Sequence, residues 1–254
     1  FKMSVKVKSI LIVLLVFAAL QRSYAASRYN VYTPTVYKQG NLIQAPLKVE
    51  GNVIELVVDY SGSMEVWINL AKSMLVSILP KITEQTNVAL RVFGQGNQNS
   101  FGMFNGCKAT TLVSRAKPMN TDGIISGLSS TVIGGSTPLT YALQQTVYKD
   151  FASLNAGVGK KIVLVTDGGE TCGGSPCEFV RNLVKYRKDI IIDVVMVNGS
   201  NKLRCLADET GGKYYNTLNS VDFNNALNKT FGAEPQPQNP GSKQNSEVHY
   251  QFIN

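Results

Sequence analysis

The chain is poor in histidine, tryptophan and charge. Its 254 residues hold one histidine, His249, and one tryptophan, Trp67, and only 17% are charged, against roughly 25% in an ordinary globular domain. His249 lies in a polar stretch near the C-terminus, which argues against a Ser-His-Asp triad, a His-ligated zinc or a histidine general base. Long apolar runs are missing too. Ile10 to Leu20 has eleven apolar residues, whereas a bilayer-spanning helix needs roughly twenty. With 44% apolar residues, the chain is nonetheless rich enough for a sizeable core, and wholesale disorder is ruled out.

The net charge of +8 is unevenly spread. Lys2, Lys6, Lys8 and Arg22 fall in the first 26 residues, which contain no Asp or Glu, and the remainder has 21 basic against 17 acidic residues. No basic run interleaved with aromatics follows, so nucleic acid is not an expected partner. The cationic start, the apolar run Ile10 to Leu20, and the small residues Ser23 and Ala25 flanking Tyr24 have the anatomy of a signal peptide, with cleavage expected after Ala25. An exported product, periplasmic or secreted and without a transmembrane segment once processed, is the expectation.

Export bears on the four cysteines, Cys107, Cys172, Cys177 and Cys205. In an oxidising compartment an even count favours disulfides. A four-thiolate zinc site would need two close pairs, and only the Cys172 to Cys177 interval is short. Four cysteines allow three pairings. All four fall at one end of the expected sheet, which favours Cys107 with Cys172 and Cys177 with Cys205.

Residues 26–48 show no strong periodicity and read as an extended lead-in. From there apolar, β-branched runs alternate with helical patterns. Val53 to Asp59, Val88 to Phe93, Lys160 to Thr166 and Ile190 to Val197 predict strands buried on both faces. Between and after them, Glu65 to Leu79, Asp122 to Leu128, Leu139 to Phe151, Cys177 to Tyr186, Leu203 to Thr210 and Val221 to Phe231 predict helices. Ala109 to Ser114 and Lys213 to Asn216 complete the set as edge strands. The fold class is α/β, a doubly wound, mostly parallel sheet with helices on both faces, over residues 49–232. Residues 233–254, rich in Pro, Gln, Asn and Ser, read as a flexible tail.

Open parallel sheets bind ligands at the carboxyl ends of their strands. The first strand runs into Asp59-Tyr60-Ser61-Gly62-Ser63, and Lys160 to Thr166 runs into Asp167-Gly168-Gly169. The loop Gly134-Gly135-Ser136-Thr137-Pro138 opens another helix at the same edge. Two carboxylates and three hydroxyls in that arrangement suit a hard divalent cation, which takes oxygen ligands and keeps some of its waters. As caps of the following helix, Ser61 and Ser63 would need no metal, but that leaves Thr137 and Asp167 unexplained. Glu65 and Glu170 lie near the rim, and Tyr60, Met64 and Trp67 are candidates for apolar contact around the cation, with a core position favoured for Trp67.

Asp-x-Ser-x-Ser after the first strand, Thr137 in Gly-Gly-Ser-Thr-Pro, and Asp167 in Thr-Asp-Gly resemble the metal-ion-dependent adhesion site of the von Willebrand factor A-type domain. The stretch from Thr166 to Cys177, with Cys205-Leu206-Ala207 and Thr210 to Tyr215, further resembles exported bacterial proteins carrying that domain. The resemblance implies that Ser61, Ser63 and Thr137 bind the cation, with Asp59 and Asp167 holding it directly or through water. It implies Mg2+, with Mn2+ or Ca2+ as substitutes, and one antiparallel edge strand. The function it implies is non-catalytic: capture of a protein partner through an exposed Asp or Glu.

Enzyme alternatives fit less well. An aspartate-nucleophile phosphatase would place a second acid where Ser61 stands. Gly94-x-Gly96 is followed by Asn99 instead of a third glycine, and Gly159-Lys160 and Gly212-Lys213 lack phosphate-loop spacing. A metal-assisted phosphoester hydrolase would lack a visible general base, and a structural domain with a vestigial metal site is the remaining alternative.

Overall fold

The apolar strands dictate the architecture, because a strand buried on both faces needs helices on each side. In the computed structural model, which describes residues 49–96, 106–154, 158–197 and 201–231, seven of the eight residues of β1 (Asn52–Asp59) are buried. The other strands are β2 (Thr86–Phe93), β3 (Thr110–Pro118), β4 (Lys160–Thr166), β5 (Ile190–Val197) and β6 (Tyr214–Thr217). They form one sheet in the order β3-β2-β1-β4-β5-β6. All neighbours are parallel except β2 and β3, which pair antiparallel at the edge. The doubly wound α/β class and the antiparallel edge strand expected from the sequence are both present. The described residues fall in the compact unit Pro46–Asn254, and the expected signal (1–25), lead-in (26–48) and tail (233–254) lie outside them.

Among the described residues, six α-helices cover the two faces. α1 (Ile68–Ile78), α2 (Thr121–Ser130) and α6 (Ser220–Phe231) lie on one side, where Leu75, Ile124 and Leu227 meet Leu56, Val58 and Val163 of the sheet. α3 (Leu139–Gln145), α4 (Pro176–Leu183) and α5 (Arg204–Thr210) lie on the other, where Leu143, Val180 and Leu206 meet Val57, Leu164 and Val194. Each such fully buried side chain contributes about 1.5–3 kcal/mol of transfer free energy.

Two helices depart from the periodic expectation. The helix expected from Glu65 starts as a 3-10 turn, Gly62–Val66, and becomes α-helical only at Ile68. The backbone before it is committed elsewhere: Ser61 N–H donates to Asp59 Oδ1 and Gly62 N–H to the Gly135 carbonyl. The helix expected over Leu139 to Phe151 keeps α geometry to Gln145 and widens to a π-type turn at Thr146–Asp150. That turn engages polar groups of the sheet. Thr146 Oγ1 donates to Glu55 Oε1 at 2.9 Å, and Asp150 Oδ2 accepts from Arg91 Nε at 2.7 Å.

Glu55, Arg91 and Asp150 make a buried network, with Arg91 Nε also 3.4 Å from Glu55 Oε1. Burial and the neighbouring Asp150 carboxylate hold the Glu55 carboxyl well above the usual range. Arg91→Leu would leave the buried Glu55 and the half-buried Asp150 facing each other without their cation. A loss of about 3–5 kcal/mol is expected at pH 7, measured by urea unfolding. Part of it should return on acidification, because a protonated Glu55 needs no counter-charge.

Candidate functional site

The site grows from the point where the sheet changes direction. After β1 the chain crosses to β2 on one side, and after β4 to β5 on the other, which opens a crevice beyond the ends of β1 and β4. Asp59 ends β1, Thr166 ends β4, and Asp167 follows directly. Pairing of Val58 with Val165 sets the two strand ends side by side.

Asp59 is fully buried, and both its oxygens are held by neutral donors. Oδ1 accepts from Ser61 N–H at 2.7 Å, and Oδ2 accepts from Thr166 Oγ1 at 2.5 Å. Ser63 Oγ donates to Asp167 Oδ1 at 2.8 Å, and the Ser61 and Ser63 hydroxyls are 3.4 Å apart. Asp59, Ser61, Ser63 and Asp167 therefore form one connected cluster of oxygens. Ser61 makes no side-chain capping bond to the helix that follows, and the Ser63 hydroxyl is turned to Asp167, so the capping explanation of these serines does not describe them.

The loop carrying Thr137 is stitched to both strand ends. Gly134 N–H donates to the Tyr60 carbonyl, Gly62 N–H to that of Gly135, and Thr171 N–H to that of Thr137. Thr137 N–H donates in return to Thr171 Oγ1 at 2.7 Å, and Thr137 is buried. These contacts need small residues. Gly94, with φ of +73°, sits where a β-carbon would fall 2.7 Å from the Ser136 carbonyl and 2.9 Å from Ser61 N. A β-carbon on Gly134 would strike the Gly94 carbonyl.

Several residues have roles the sequence did not assign. Thr166 tethers Asp59, and Thr171 pins Thr137 from two sides; a polar residue ending an otherwise apolar strand is the signal for the first, and nothing marks the second. Glu170 is not free for a ligand: Oε2 accepts from Thr140 N–H and Oε1 from Cys172 N–H, both at 2.7 Å. It fixes the start of α3 against the loop after β4. Glu65 is exposed. Tyr60 and Met64 do not line the rim. Both are fully buried in the core, and Tyr60 donates its hydroxyl to the Leu128 carbonyl at 2.7 Å. Trp67 is partly buried against the same core.

The cysteines ring this edge. Cys107 pairs with Cys172, and Cys177 with Cys205, with Cα atoms 5.3 and 5.6 Å apart. The first bridge ties the loop after β4 to the turn before β3, and the second ties α4 to α5. Beside them lies an open cleft of about 620 Å³ lined by Gly169, Glu170, Pro176, Arg181 and Lys202, among others.

Electrostatically the cluster lacks something. Burial, reinforced by the nearby Asp167 charge, pushes the Asp59 carboxyl up to about 6, although the hydrogen bonds from Thr166 and Ser61 act against the rise. A positive charge beside Asp59 and Asp167 would relieve both causes. Among the described residues no three His, Cys, Asp or Glu side chains converge on a metal position. A cation here would depend on hydroxyl oxygens, and the donor set of Asp59, Ser61, Ser63, Thr137 and Asp167 suits a hard dication of that kind.

Known proteins share this plan. The family model of the von Willebrand factor type A domain matches residues 54–232. The uncharacterized protein YwmD of Bacillus subtilis (strain 168) is 30% identical over 187 residues, covering 69% of this chain and 83% of its own. Among solved structures, the pilus adhesin SpaC from Lactobacillus rhamnosus GG, in its open conformation, superposes with a TM-score of 0.58 at 15% identity, over 72% of this chain and 30% of that one. Proximal thread matrix protein 1 from the mussel byssus, with a zinc-occupied MIDAS motif, superposes with a TM-score of 0.55 at 18% identity, over 72% of this chain and 45% of that one. This chain thus spans less than half of either solved chain. The sequence match from 54 to 232 and the sheet order together establish that the chain belongs to the von Willebrand factor type A domain family.

Proposed function

We propose that this domain is an exported, non-catalytic binding module. It holds a divalent cation, Mg2+ in the first instance, and captures an exposed Asp or Glu of a protein partner. The observation that carries this is the cluster in which a fully buried Asp59, two serine hydroxyls and Asp167 meet at the sheet's switch point, with the Thr137 loop stitched alongside. A signal-like N-terminus and two disulfides support export. Among the described residues no helix is long and apolar enough to cross a membrane.

Ser61, Ser63 and Thr137 would offer neutral oxygens, with Asp59 and Asp167 supplying the negative charge directly or through water. A dication held largely by neutral hydroxyls keeps enough positive character to attract a further carboxylate. The chain's own contribution is placement. Thr166 and Ser61 fix the Asp59 carboxylate, Ser63 fixes Asp167, and Thr171 with Glu170 fixes the Thr137 loop before any ligand arrives.

Isothermal titration with MgCl2 tests the cation directly. Asp59→Ala is expected to lose heat-detectable binding, and unchanged affinity in that variant would refute the proposal. Gly94→Ala removes no oxygen ligand but forces its β-carbon against Ser136 and Ser61, so at least a tenfold weaker affinity is expected with the fold retained by circular dichroism.

The pH dependence follows from Asp59. Its carboxyl rises from 3.8 to about 6 in the folded domain, so a proton competes with the cation. Mg2+ affinity should climb with pH and level off above about 6, being roughly tenfold weaker at pH 5 than at the plateau. Because the folded state holds this proton more tightly than the unfolded chain, the metal-free domain should lose stability as pH rises from about 4 through 6. Added Mg2+ should reverse that loss in a thermal melt.

A further inference from the structure

The half of the α3/α4 face away from the metal edge carries a cluster that the proposed function does not use. α4 begins at the metal edge with Pro176 and ends at Leu183, and the chain then runs through Lys185-Tyr186-Arg187-Lys188 toward β5. α4 itself rises roughly 10 Å from Pro176 to Leu183, and Tyr186 lies beyond its end. Tyr186 is 86% exposed, the most exposed large apolar side chain among the described residues. The turn after α3 contributes Tyr148, 60% exposed, and the exposed Lys149. Tyr148 meets Phe179 of α4 edge-on with ring centroids 6.0 Å apart, so the two segments lie side by side.

The charges in this cluster are lopsided. Of the nearby carboxylates, Glu178 lies on the first turn of α4, Asp150 is engaged by Arg91, and Asp189 is engaged by Arg187 through two nitrogens at 2.7 and 2.9 Å, with Lys160 Nζ 3.2 Å away. Lys149, Lys185 and Lys188 form no ion pair among the described residues. Lys185 Nζ donates to the neutral Asn182 Oδ1. Lys185-Tyr186-Arg187-Lys188 is thus a short basic run interleaved with an aromatic, contrary to the expectation that none follows the N-terminal stretch. Tyr148-Lys149 joins it only through the fold.

Neither tyrosine completes the core, so their exposure asks for another environment. Tyrosine, with an apolar ring and a polar tip, is favoured at the water–headgroup boundary of a bilayer. Lysines next to an anionic leaflet each add attraction that decays within a Debye length. A soluble phosphate polymer would use the lysines and leave the two rings without purpose. The face lies toward the start of the strands. α6 finishes at that end, where Thr230 accepts from Lys161 Nζ at 3.1 Å, and β1 begins there.

We infer that Tyr148, Lys149, Lys185, Tyr186 and Lys188 form a docking surface for an anionic phospholipid bilayer. The tyrosines sit at headgroup level, the lysines lie against headgroup phosphates, and the metal edge is carried clear of the surface. This does not rest on the metal assignment.

The test is sedimentation of residues 26–254, the product expected after cleavage, with vesicles of phosphatidylcholine alone or with about one-third phosphatidylglycerol, so that neither the basic N-terminal stretch nor the apolar run Ile10 to Leu20 masks the face. Binding is expected to the anionic vesicles only and to weaken as salt is raised. The double variant Lys185→Ala/Lys188→Ala should bind roughly 30-fold more weakly, and Tyr186→Ser should weaken binding while leaving the salt dependence unchanged. Both should retain Mg2+ binding by titration, which separates this outcome from failure of the metal site. Equal binding to neutral vesicles, no binding to anionic ones, or unchanged binding by the double variant would overturn the inference. So would lysine-dependent binding to soluble polyphosphate without vesicle binding, which would assign the face to a free polyanion.

Discussion

Everything at the functional edge follows from burying one carboxylate. Asp59 ends the central strand with no exposure to solvent, and a carboxylate in that position is costly unless donors or a cation compensate it. The protein supplies neutral hydrogen bonds from Ser61 and Thr166, and they are not enough to bring the carboxyl back to its ordinary range. Such a site is stable enough to fold and is left short of positive charge. That shortfall would give a cation a reason to bind without a dense cage of acids, and an ion bound there would stay under-neutralised toward solvent.

Holding this arrangement requires backbone contacts between three loops. Tyr60 with Gly134, Gly62 with Gly135, and Thr137 with Thr171 bring main chains so close that side chains would intrude, which is why Gly94 and Gly134 stand where they do. The disulfide from Cys107 to Cys172 and the Glu170 clamp then fix the outer loop from behind. Under the proposed function this rigidity would serve binding, because oxygens placed in advance need not be ordered when an ion arrives.

How much of this the sequence discloses depends on whether a residue's role is local. The central strands were legible because Val53 to Asp59, Lys160 to Thr166 and Ile190 to Val197 are apolar throughout, and such runs have few alternatives to a doubly covered sheet. The ligand candidates were legible because Asp59, Ser61 and Ser63 share one turn. Helix starts were not. Propensity favours a helix from Glu65, but the Ser61 and Gly62 amides are spent on Asp59 and Gly135, and only the tertiary structure says so. Thr171 and Glu170 were hidden for the same reason: their partners, Thr137 and Thr140, are 34 and 30 positions away. Tyr60 and Met64 misled in the opposite sense, since adjacency to a site motif in sequence says nothing about which way a side chain points.

The sheet also separates two kinds of surface. Parallel strands send all their carboxyl ends to one edge, so the loops that gather Asp59, Thr137 and Asp167 are forced together there. The return turns, including the one between α4 and β5, are forced to the other end. A single chain direction thus creates an edge for a specific ligand and, well removed from it, a face free to carry lysines and tyrosines that no core contact constrains. Because a rigid sheet joins them, whatever orients the far face also orients the site. A binding module of the proposed kind, docked by its far face, would gain from that geometry without any moving part.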